Sequence, residues 1–423
     1  IGLVRTRDGK SFLVPFILIT SLFFLWGVAH SILDVLNKHF QDALSISKTH
    51  SALIQAVVYG GYFLMAMPAG EIIRRHGYRA GVVTGLLLYG IGALMFIPGE
   101  QIMSFEFFLL SLFIIGCGLT CLETAANPYV TVLGDKDSAE RRINLAQSFN
   151  GLGAFIAAMF LSKLILSGNH YTRDTLPTSF PGGWEGYIQT ETDAMKLPYL
   201  LLAMLLIVIA IIFIFSKLPK IKEGNTMEGV EYKGEKLIDF GVLKRSHLRW
   251  GVIAQFFYNG GQTAINSLFL VYCCTYAELP ENTATTFFGL YMLAFLAGRW
   301  TGTLLMVKFR PQDMLLVYAL INVLLCIVVV CFGGWTGLYA MLGISFFMSI
   351  MYPTQFSLAL TDLGNNTKSG SAFLVMAIVG NACLPQLTAY MMHLNEHIYH
   401  IAYTIPMICF LFCAYYGWKG YKV

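Results

Sequence analysis

Three charged residues lie inside long apolar runs, where an unpaired charge costs about 2.5–3.5 kcal/mol on insertion scales. They are Asp34, Glu123 and Arg299. Glu123 stands in the middle of its run, and burial disfavours the charged form of a carboxyl group. It could therefore take up and release a proton near neutral pH, or accept a hydrogen bond from a ligand hydroxyl. A structural ion pair or a hydrogen bond between helices is the alternative reading.

The other two charges lie nearer the ends of their runs. Asp34 falls towards the end of the first run, where a carboxylate at the membrane interface would be equally consistent with its depth. His30 precedes it by one helical turn and shares its face, so it could tune the carboxylate or titrate itself. A hydrogen-bonded structural histidine is the alternative. For Arg299 we expect an interfacial contact or an acidic partner at a gate rather than contact with a substrate.

Amide side chains recur within the apolar runs. Neutral donors and acceptors suit an uncharged, hydroxyl-rich ligand, since a buried amide without partners costs free energy. Any single amide is more often a contact between helices, but their number favours a polar, uncharged cargo. The amides are Gln55, Asn127, Gln147, Asn150, Gln255, Asn259, Gln262, Asn266, Gln355, Asn381 and Gln386. Nearby aromatic rings could stack on the apolar face of a sugar ring, among them Trp26, Tyr59, Tyr62 and Tyr352.

Two motif matches carry little weight. The segment from His393 to His397 fits H-x-x-E-H, but it lies at a predicted turn and lacks a third ligand. Gly9, Lys10 and Ser11 resemble a phosphate loop, but Val4 stands where the first glycine belongs. We therefore expect no metal, no cofactor, no enzymatic site and no ATP hydrolysis, so that energy comes from a gradient or from substrate flow.

The elements that position these residues are predicted to be membrane-spanning helices. The chain has 423 residues, of which 56% are hydrophobic and 12% charged, whereas soluble domains average about 25% charged. A helix needs about 20 apolar residues to cross a bilayer, and the runs are too long and uniform for barrel strands. The pattern predicts an all-α membrane protein with twelve spans, near 13–38, 50–73, 79–98, 104–132, 141–167, 195–217, 247–276, 283–307, 312–333, 335–361, 368–393 and 396–418.

The loop charges predict the orientation and the division of the chain. Most of the 28 Lys and Arg residues fall on the side shared by both termini and the linker 218–246, which predicts that this side is cytoplasmic. The linker separates two predicted six-span halves, 1–217 and 247–423, with a weak repeat around Pro128 and Pro353. Two such halves describe the major facilitator architecture, in which the substrate site lies between the halves near the midplane.

Several segments closely resemble the bacterial L-fucose–proton symporter family, part of the fucose, galactose and glucose symporters of the major facilitator superfamily. They are CLETAANPYVTVLG at 121–134, LFFLW at 22–26, NLAQSFN at 144–150, AQF at 254–256 with GQTA at 261–264, GRWTGT at 298–303 and MSIMYPT at 348–354. The resemblance covers nearly all of the chain. It implies proton-coupled import of a monosaccharide by alternating access, with a symporter or uniporter for glucose, galactose or another hexose or amino sugar as the alternative.

The resemblance also implies roles for individual residues. In that family an acidic residue in span one and a Glu in span four carry coupling and recognition, and Asp34 and Glu123 match them. Related glucose and galactose carriers lack this Glu, so its presence favours fucose. The expected substrate contacts are completed by His30, Asn127, Gln147, Asn150, Gln255, Gln262 and Asn266. Gating is assigned to Arg74, Arg75 and Arg299.

Three departures from the family pattern stand out. The stretch before Asp34 begins with His30 where fucose carriers are richer in Asn, and Asn266 replaces an aromatic residue. These two changes concern the identity of the sugar. Arg74 stands where an acidic residue is usual in the loop between spans two and three, which concerns the charge contact at the gate.

The expected partners are a small neutral sugar, a proton as the coupling ion and the lipid bilayer, without nucleic acid. We expect a monomer in the bacterial inner membrane with both termini in the cytoplasm. A membrane-bound enzyme would need a catalytic cluster at one membrane face, and a sugar-sensing receptor would bind sugar without net flux. These features distinguish the two rival classes from a transporter.

Overall fold

The fold is almost entirely helical in the part of the chain that the computed structural model describes, namely residues 3–5, 11–43, 48–102, 104–157, 177–216, 222–223, 226–227, 239–394 and 399–422. Helices satisfy backbone hydrogen bonds internally, which an apolar environment requires. They are α1 Leu13–Ala43, α2 Lys48–His76, α3 Tyr78–Ile102, α4 Phe105–Val132, α5 Ala139–Ile156, α6 Gly183–Phe215, α7 Ser246–Thr275, α8 Glu281–Leu305, α9 Pro311–Phe332, α10 Gly334–Met348, α11 Met351–Leu360, α12 Thr367–Met376, α13 Gly380–Leu394 and α14 Thr404–Tyr415.

The helices pack as two groups that meet along a few contacts. Helix α4 packs on α2 and α3, α1 on α5, and α3 on α6, while α7 packs on α13 and α14, and α9 on α10 and α14. Between the groups, α2 meets α12, and α5 meets α8 and α11. Within 218–246, strands β1 (Lys222–Glu223) and β2 (Thr226–Met227) pair antiparallel. The division at this linker stays a prediction, because most of 218–246 lies outside the described residues.

Nine of the predicted spans recur as helical stretches long and apolar enough to cross a membrane, counted within the described residues. The run 141–167 continues into residues 158–176, which lie outside the described part. The runs 247–276 and 283–307 form α7 and α8 but fall below the apolarity of a typical span, because polar residues such as Gln262 and Arg299 face inward. Polarity that serves an internal cavity thus weakens the sequence signal of a span.

Two predicted spans are broken helices. The run 335–361 forms α10 and α11, which meet at Ser349 and Ile350, just before Pro353 in the first turn of α11. Proline has no backbone N–H and is tolerated in a first turn. The run 368–393 forms α12 and α13, joined by a 3-10 turn at Ala377–Val379. Such breaks let one span present side chains in two directions, and both border the cavity described below.

A buried arginine anchors the end of the bundle that carries Arg74, Arg75, Lys136 and Arg310, called the basic end below. Arg142 is fully buried and donates to the carbonyl oxygens of Val130 at 3.1 Å, Thr131 at 2.5 Å, Asp135 at 2.9 Å and Leu3 at 3.1 Å. The last carbonyls of a helix have no partner within the helix. Arg142 supplies one at the end of α4 and ties the connection to α5 in place.

Close packing of α2 on α4 depends on Gly116. A Cβ added there would lie 2.6 Å from the carbonyl oxygen of Val58, whereas one added at Gly60 on α2 would meet nothing within 4 Å. We expect Gly116→Ala to lower the free energy of unfolding by about 1–3 kcal/mol, because overpacking forces the helices apart. Thermal unfolding in detergent measures the effect. Gly60→Ala is the control and should be neutral or slightly stabilising; equal melting of Gly116→Ala and the unsubstituted protein would contradict this account of the contact.

Candidate functional site

A cavity of about 340 Å³ lies between the two groups of helices, within the range of about 300–1,000 Å³ typical of ligand pockets. Helices α1, α2, α4 and α5 form one side, and α7, α8 and α11 form most of the other. Its polar lining is rich in hydroxyl and amide groups: His30, Tyr59, Tyr62, Glu123, Gln147, Asn150, Asn259, Gln262, Arg299, Tyr352 and Asn381. This central cavity could hold a small, hydroxyl-rich molecule.

Glu123 is held by two tyrosines in the central cavity. Tyr62 on α2 donates to Glu123 Oε1 at 2.9 Å, and Tyr352 on α11 donates to Oε2 at 2.8 Å. His30 lies close enough to interact electrostatically with the carboxyl group. A carboxylate removed from bulk water needs such donors. Since one tyrosine comes from each group of helices, Glu123 sits at the junction between them.

An amide network supports this junction from behind. Asn127 Nδ2 donates to the Tyr352 hydroxyl at 3.3 Å, and Gln147 Nε2 donates to Asn127 Oδ1 at 3.0 Å. Asn127 is fully buried, so it orients Tyr352 and Gln147 rather than lining the cavity. The network spans α4, α5 and α11, and it therefore couples the position of Glu123 to both groups of helices.

Of the predicted substrate contacts, the structure brings His30, Glu123, Gln147, Asn150 and Gln262 together around the central cavity. Asn150 also donates to the Phe23 carbonyl oxygen at 3.0 Å. The face of α5 that carries Gln147 and Asn150 continues to Ala154 at helical spacing. Gln147 and Asn150 thus form the polar part of this wall, and Ala154 extends it with a small apolar side chain.

Other predicted contacts lie elsewhere. Gln255 is fully buried and donates to the Tyr352 carbonyl oxygen at 2.8 Å. Asn266 accepts a hydrogen bond from Tyr291. Asp34 lies within α1, but its side chain is outside the described part, as is the segment 395–398 of the discounted metal motif. The roles assigned to these residues stay predictions.

Arg299 occupies a different setting from the interfacial one expected. Only 6% of it is exposed, and it donates to the carbonyl oxygens of Ser349 at 3.0 Å and Gln147 at 2.9 Å. Its guanidinium lies 4.6 Å from the centre of the Phe295 ring. The cation thus bridges α5 and α8 at the wall of the central cavity.

At the basic end, Arg74 and Arg75 both donate to Glu71 within α2. The acidic partner of the two arginines therefore lies on the same helix, one turn before the position where the family usually has an acidic residue. The gating role of these two arginines stays a prediction.

Sequence reasoning missed two aspects of the site. Tyr62 and Tyr352 were considered only as rings that could stack on a sugar, which stays a prediction, and the bonds from their hydroxyl groups to Glu123 were not foreseen. Met292 and Phe295 line the cavity without having been singled out. A signal for them existed, because they precede Arg299 by seven and four residues and so share its helical face.

A salt bridge joins the two groups of helices at the basic end. Lys136, in the connection between α4 and α5, donates to Asp362 Oδ1 at 2.5 Å, just beyond α11. The side chains are 83% and 51% exposed, so the pair contributes no more than about 1 kcal/mol. The ammonium group of Lys136 holds the pKa of Asp362 below its ordinary value.

Two helical groups around a polar cavity, in a chain of membrane-spanning helices, define a membrane transporter rather than an enzyme. The family profile described as Major Facilitator Superfamily matches residues 12–414. The chain belongs to the major facilitator superfamily, and its fold is the two-part, twelve-span fold of that superfamily.

Its relatives include named sugar transporters. The L-fucose-proton symporter of Escherichia coli (strain K12) is 40% identical over 95% of this chain and 92% of its own. A glucose/galactose transporter of Brucella abortus biovar 1 (strain 9-941) is 33% identical over 99% of this chain and 97% of its own. The crystal structure of FucP in the outward conformation matches with a TM-score of 0.90 at 37% identity, covering 98% of this chain and all (100%) of that one.

The salt bridge predicts a pH-dependent contribution to stability. Because the pKa of Asp362 is lowered in the folded protein, its contribution is present above the unfolded-state pKa of about 3.9 and is lost as pH falls through the folded-state value. We expect Asp362→Asn to melt slightly below the unsubstituted protein at pH 7, with the difference shrinking as pH falls below about 3.9. Asn tolerates the left-handed backbone at this position, φ 56°. A difference that grows as pH falls below that value would contradict the assignment.

Proposed function

We propose that this chain imports a monosaccharide, L-fucose, together with a proton by alternating access. The observation that carries the proposal is the Glu123 carboxyl group, which faces the central cavity and is held by one tyrosine from each group of helices. The relatives named L-fucose-proton symporter support the choice of sugar and of coupling ion. No metal or organic cofactor is needed, because the proton gradient supplies the energy.

Protonation of Glu123 couples the two fluxes. A neutral carboxyl group lets the loaded carrier reorient without a buried net charge. In this mechanism the hydroxyl of Tyr352, which accepts from Asn127, keeps donating to Oε2, and the proton enters at Oε1. Tyr62 then turns its O–H away and accepts instead. Asp34 provides a second acidic group on α1, as the family resemblance implies.

Amide side chains in the central cavity recognise the hydroxyl groups of the sugar. Gln147, Asn150 and Gln262 each offer a donor and an acceptor to hydroxyl groups, while the rings of Trp26 and Tyr59 offer apolar surfaces to the C–H face of a pyranose. An apolar cargo would leave these amides unpaired, which costs free energy, and neutral amides cannot balance the charge of a charged cargo. This division of labour supports a neutral monosaccharide.

The basic end is assigned to the cytoplasm of a bacterial cell, with the protein in the inner membrane and both termini inside. The excess of Lys and Arg at this end supports the orientation. The bridge from Lys136 to Asp362 and the hydrogen bond from Ser357 to Glu140 close this end, and the likeness to FucP in the outward conformation supports an outward-facing state. The central cavity forms within one chain, which supports a monomer as the working unit.

Glucose and galactose form the second candidate substrate pair, since relatives in Brucella abortus carry that name. We expect counterflow of labelled L-fucose in proteoliposomes to be competed by unlabelled L-fucose, and at least tenfold less by D-fucose, D-glucose or D-galactose. The reason is that amides that pair with particular hydroxyl groups are left unsatisfied by a stereoisomer. Equal or stronger competition by D-glucose or D-galactose would assign the chain to the second pair.

The coupling role of Glu123 is tested by neutralising it without changing its shape. We expect Glu123→Gln to abolish accumulation of L-fucose driven by an inward proton gradient, because the amide cannot carry the proton. Counterflow, which needs no net proton movement, should persist. Glu106→Gln, on the same helix but paired with Ser104 outside the central cavity, should accumulate sugar normally. Intact gradient-driven accumulation in Glu123→Gln would overturn the coupling mechanism.

A further inference from the structure

One face of α5 joins two cavities. Gln147 lines the central cavity, and Asn144 and Glu140 follow it at helical spacing towards the basic end. Glu140 lines a second cavity of about 920 Å³ at that end, together with Lys136, Ser357 and other residues of the basic end. The polar side chains of α5 thus mark a line from the central cavity to the basic-end cavity.

Helix α11 presents hydroxyl groups to this line. Asn144 Nδ2 donates to Thr354 Oγ1 at 3.1 Å, and Ser357 Oγ donates to Glu140 Oε1 at 3.2 Å. Glu140 is 9% exposed, Ser357 3%, and the other two are fully buried. These four residues, called the polar seam below, close the passage between the cavities with one member of each pair from each group of helices.

The polar seam contains polar side chains that are not needed merely to hold two helices together. Apolar side chains would close a contact between helices without unsatisfied groups. When α5 separates from α11, Asn144 Nδ2 keeps its bond to the Glu140 carbonyl oxygen at 2.8 Å. The Glu140 carboxyl group and the hydroxyl groups of Thr354 and Ser357, however, lose their partners on the opposite helix. Each would cost about 1–3 kcal/mol if left unpaired. Even in the closed state, Asn144 Oδ1 and the buried Tyr416 hydroxyl have no hydrogen-bond partner among the described residues.

A carboxylate, an amide and two hydroxyl groups make a set that matches a ligand whose own hydroxyl groups both donate and accept. The central cavity has the same kinds of groups, in Glu123, Gln147 and Tyr352. Both sets include side chains of α5 and α11, and the central cavity adds Glu123 from α4. A sugar leaving the central cavity between α5 and α11 would therefore meet a second set of groups similar to the first.

We propose that the polar seam is a second, inner sugar site, which opens when α5 and α11 separate and binds the monosaccharide on its way to the basic-end cavity. The inference rests on the proposed function, since it takes the cargo to be a sugar that leaves at the basic end. The chemical class of the ligand is a neutral polyol or pyranose.

The test compares sugar affinity on the two sides of the membrane. In membrane vesicles of both orientations, we expect Thr354→Val and Ser357→Ala to raise the apparent KM for L-fucose at the inner face about two- to tenfold, because each removes one hydrogen bond to the sugar. Weaker closure of the basic end also raises the apparent KM at the outer face, so the direction of the change at the inner face is the measurement that decides. Thr388→Val and Ser345→Ala are matched controls, since both hydroxyl groups are fully buried and bond within their own group of helices.

Two results would overturn the inner site. If the polar seam only holds α5 and α11 together and does not bind sugar, weakening it favours the inward-facing state. The apparent KM for L-fucose then rises at the outer face and falls at the inner face. Unchanged KM values at both faces would exclude a contact with sugar. A failure of the proposed function looks different, because unsubstituted protein would then show no L-fucose flux in either orientation, and the inner site would fall with it.

Discussion

The fold depends on how one carboxyl group is accommodated within a bundle of apolar helices. Glu123 would be too costly in contact with lipid, and the structure places it where Tyr62 and Tyr352 donate to its two oxygen atoms. Because those tyrosines belong to different groups of helices, the carboxyl group is satisfied only while both groups meet around it. A change in its protonation state therefore acts directly on the contact that must move during transport, which is the physical requirement for coupling.

The free-energy cost of an unpaired polar group away from water also explains why polar residues concentrate where the helices of the two groups meet. Arg299 uses backbone carbonyl oxygens as its acceptors, and Asn127 links Gln147 to Tyr352. Besides apolar contacts such as that of Phe149 with Trp300, the two groups are joined here by hydrogen bonds that water or a hydroxyl-rich ligand can replace at similar free energy. Lipid-facing surfaces carry apolar side chains such as Leu304 and Phe332, both largely exposed. An interface of this kind can separate and close repeatedly, which a dry apolar interface would resist.

Superfamily membership, fold and choice of sugar depend on different features of the molecule. Membership of the major facilitator superfamily rests on a match to residues 12–414, and the fold rests on the likeness to FucP over nearly all of both chains. The sugar, by contrast, depends on a few side chains around the central cavity. His30 and Asn266 differ from the family pattern at the level of single residues, and Asn266 is paired with Tyr291 behind the cavity. His30 is among the residues that line the central cavity and Asn266 is not, so His30 is the departure that lies nearer to a bound ligand.

The sequence alone determined the helical class, the lengths of most spans and the position of Glu123, because lipid imposes long apolar runs and makes an isolated charge conspicuous. It also singled out Gln147, Asn150 and Gln262, since amides within apolar runs call for partners. Only the tertiary structure decided that Tyr62 and Tyr352, which lie in different halves of the sequence, donate to the same carboxyl group. It also decided that Asn127 and Gln255 lie behind the cavity instead of in it. The reason is geometric. Helical periodicity tells which residues share a face, but only the packing of one helix against another decides which face meets the cavity, which meets a neighbour and which meets lipid.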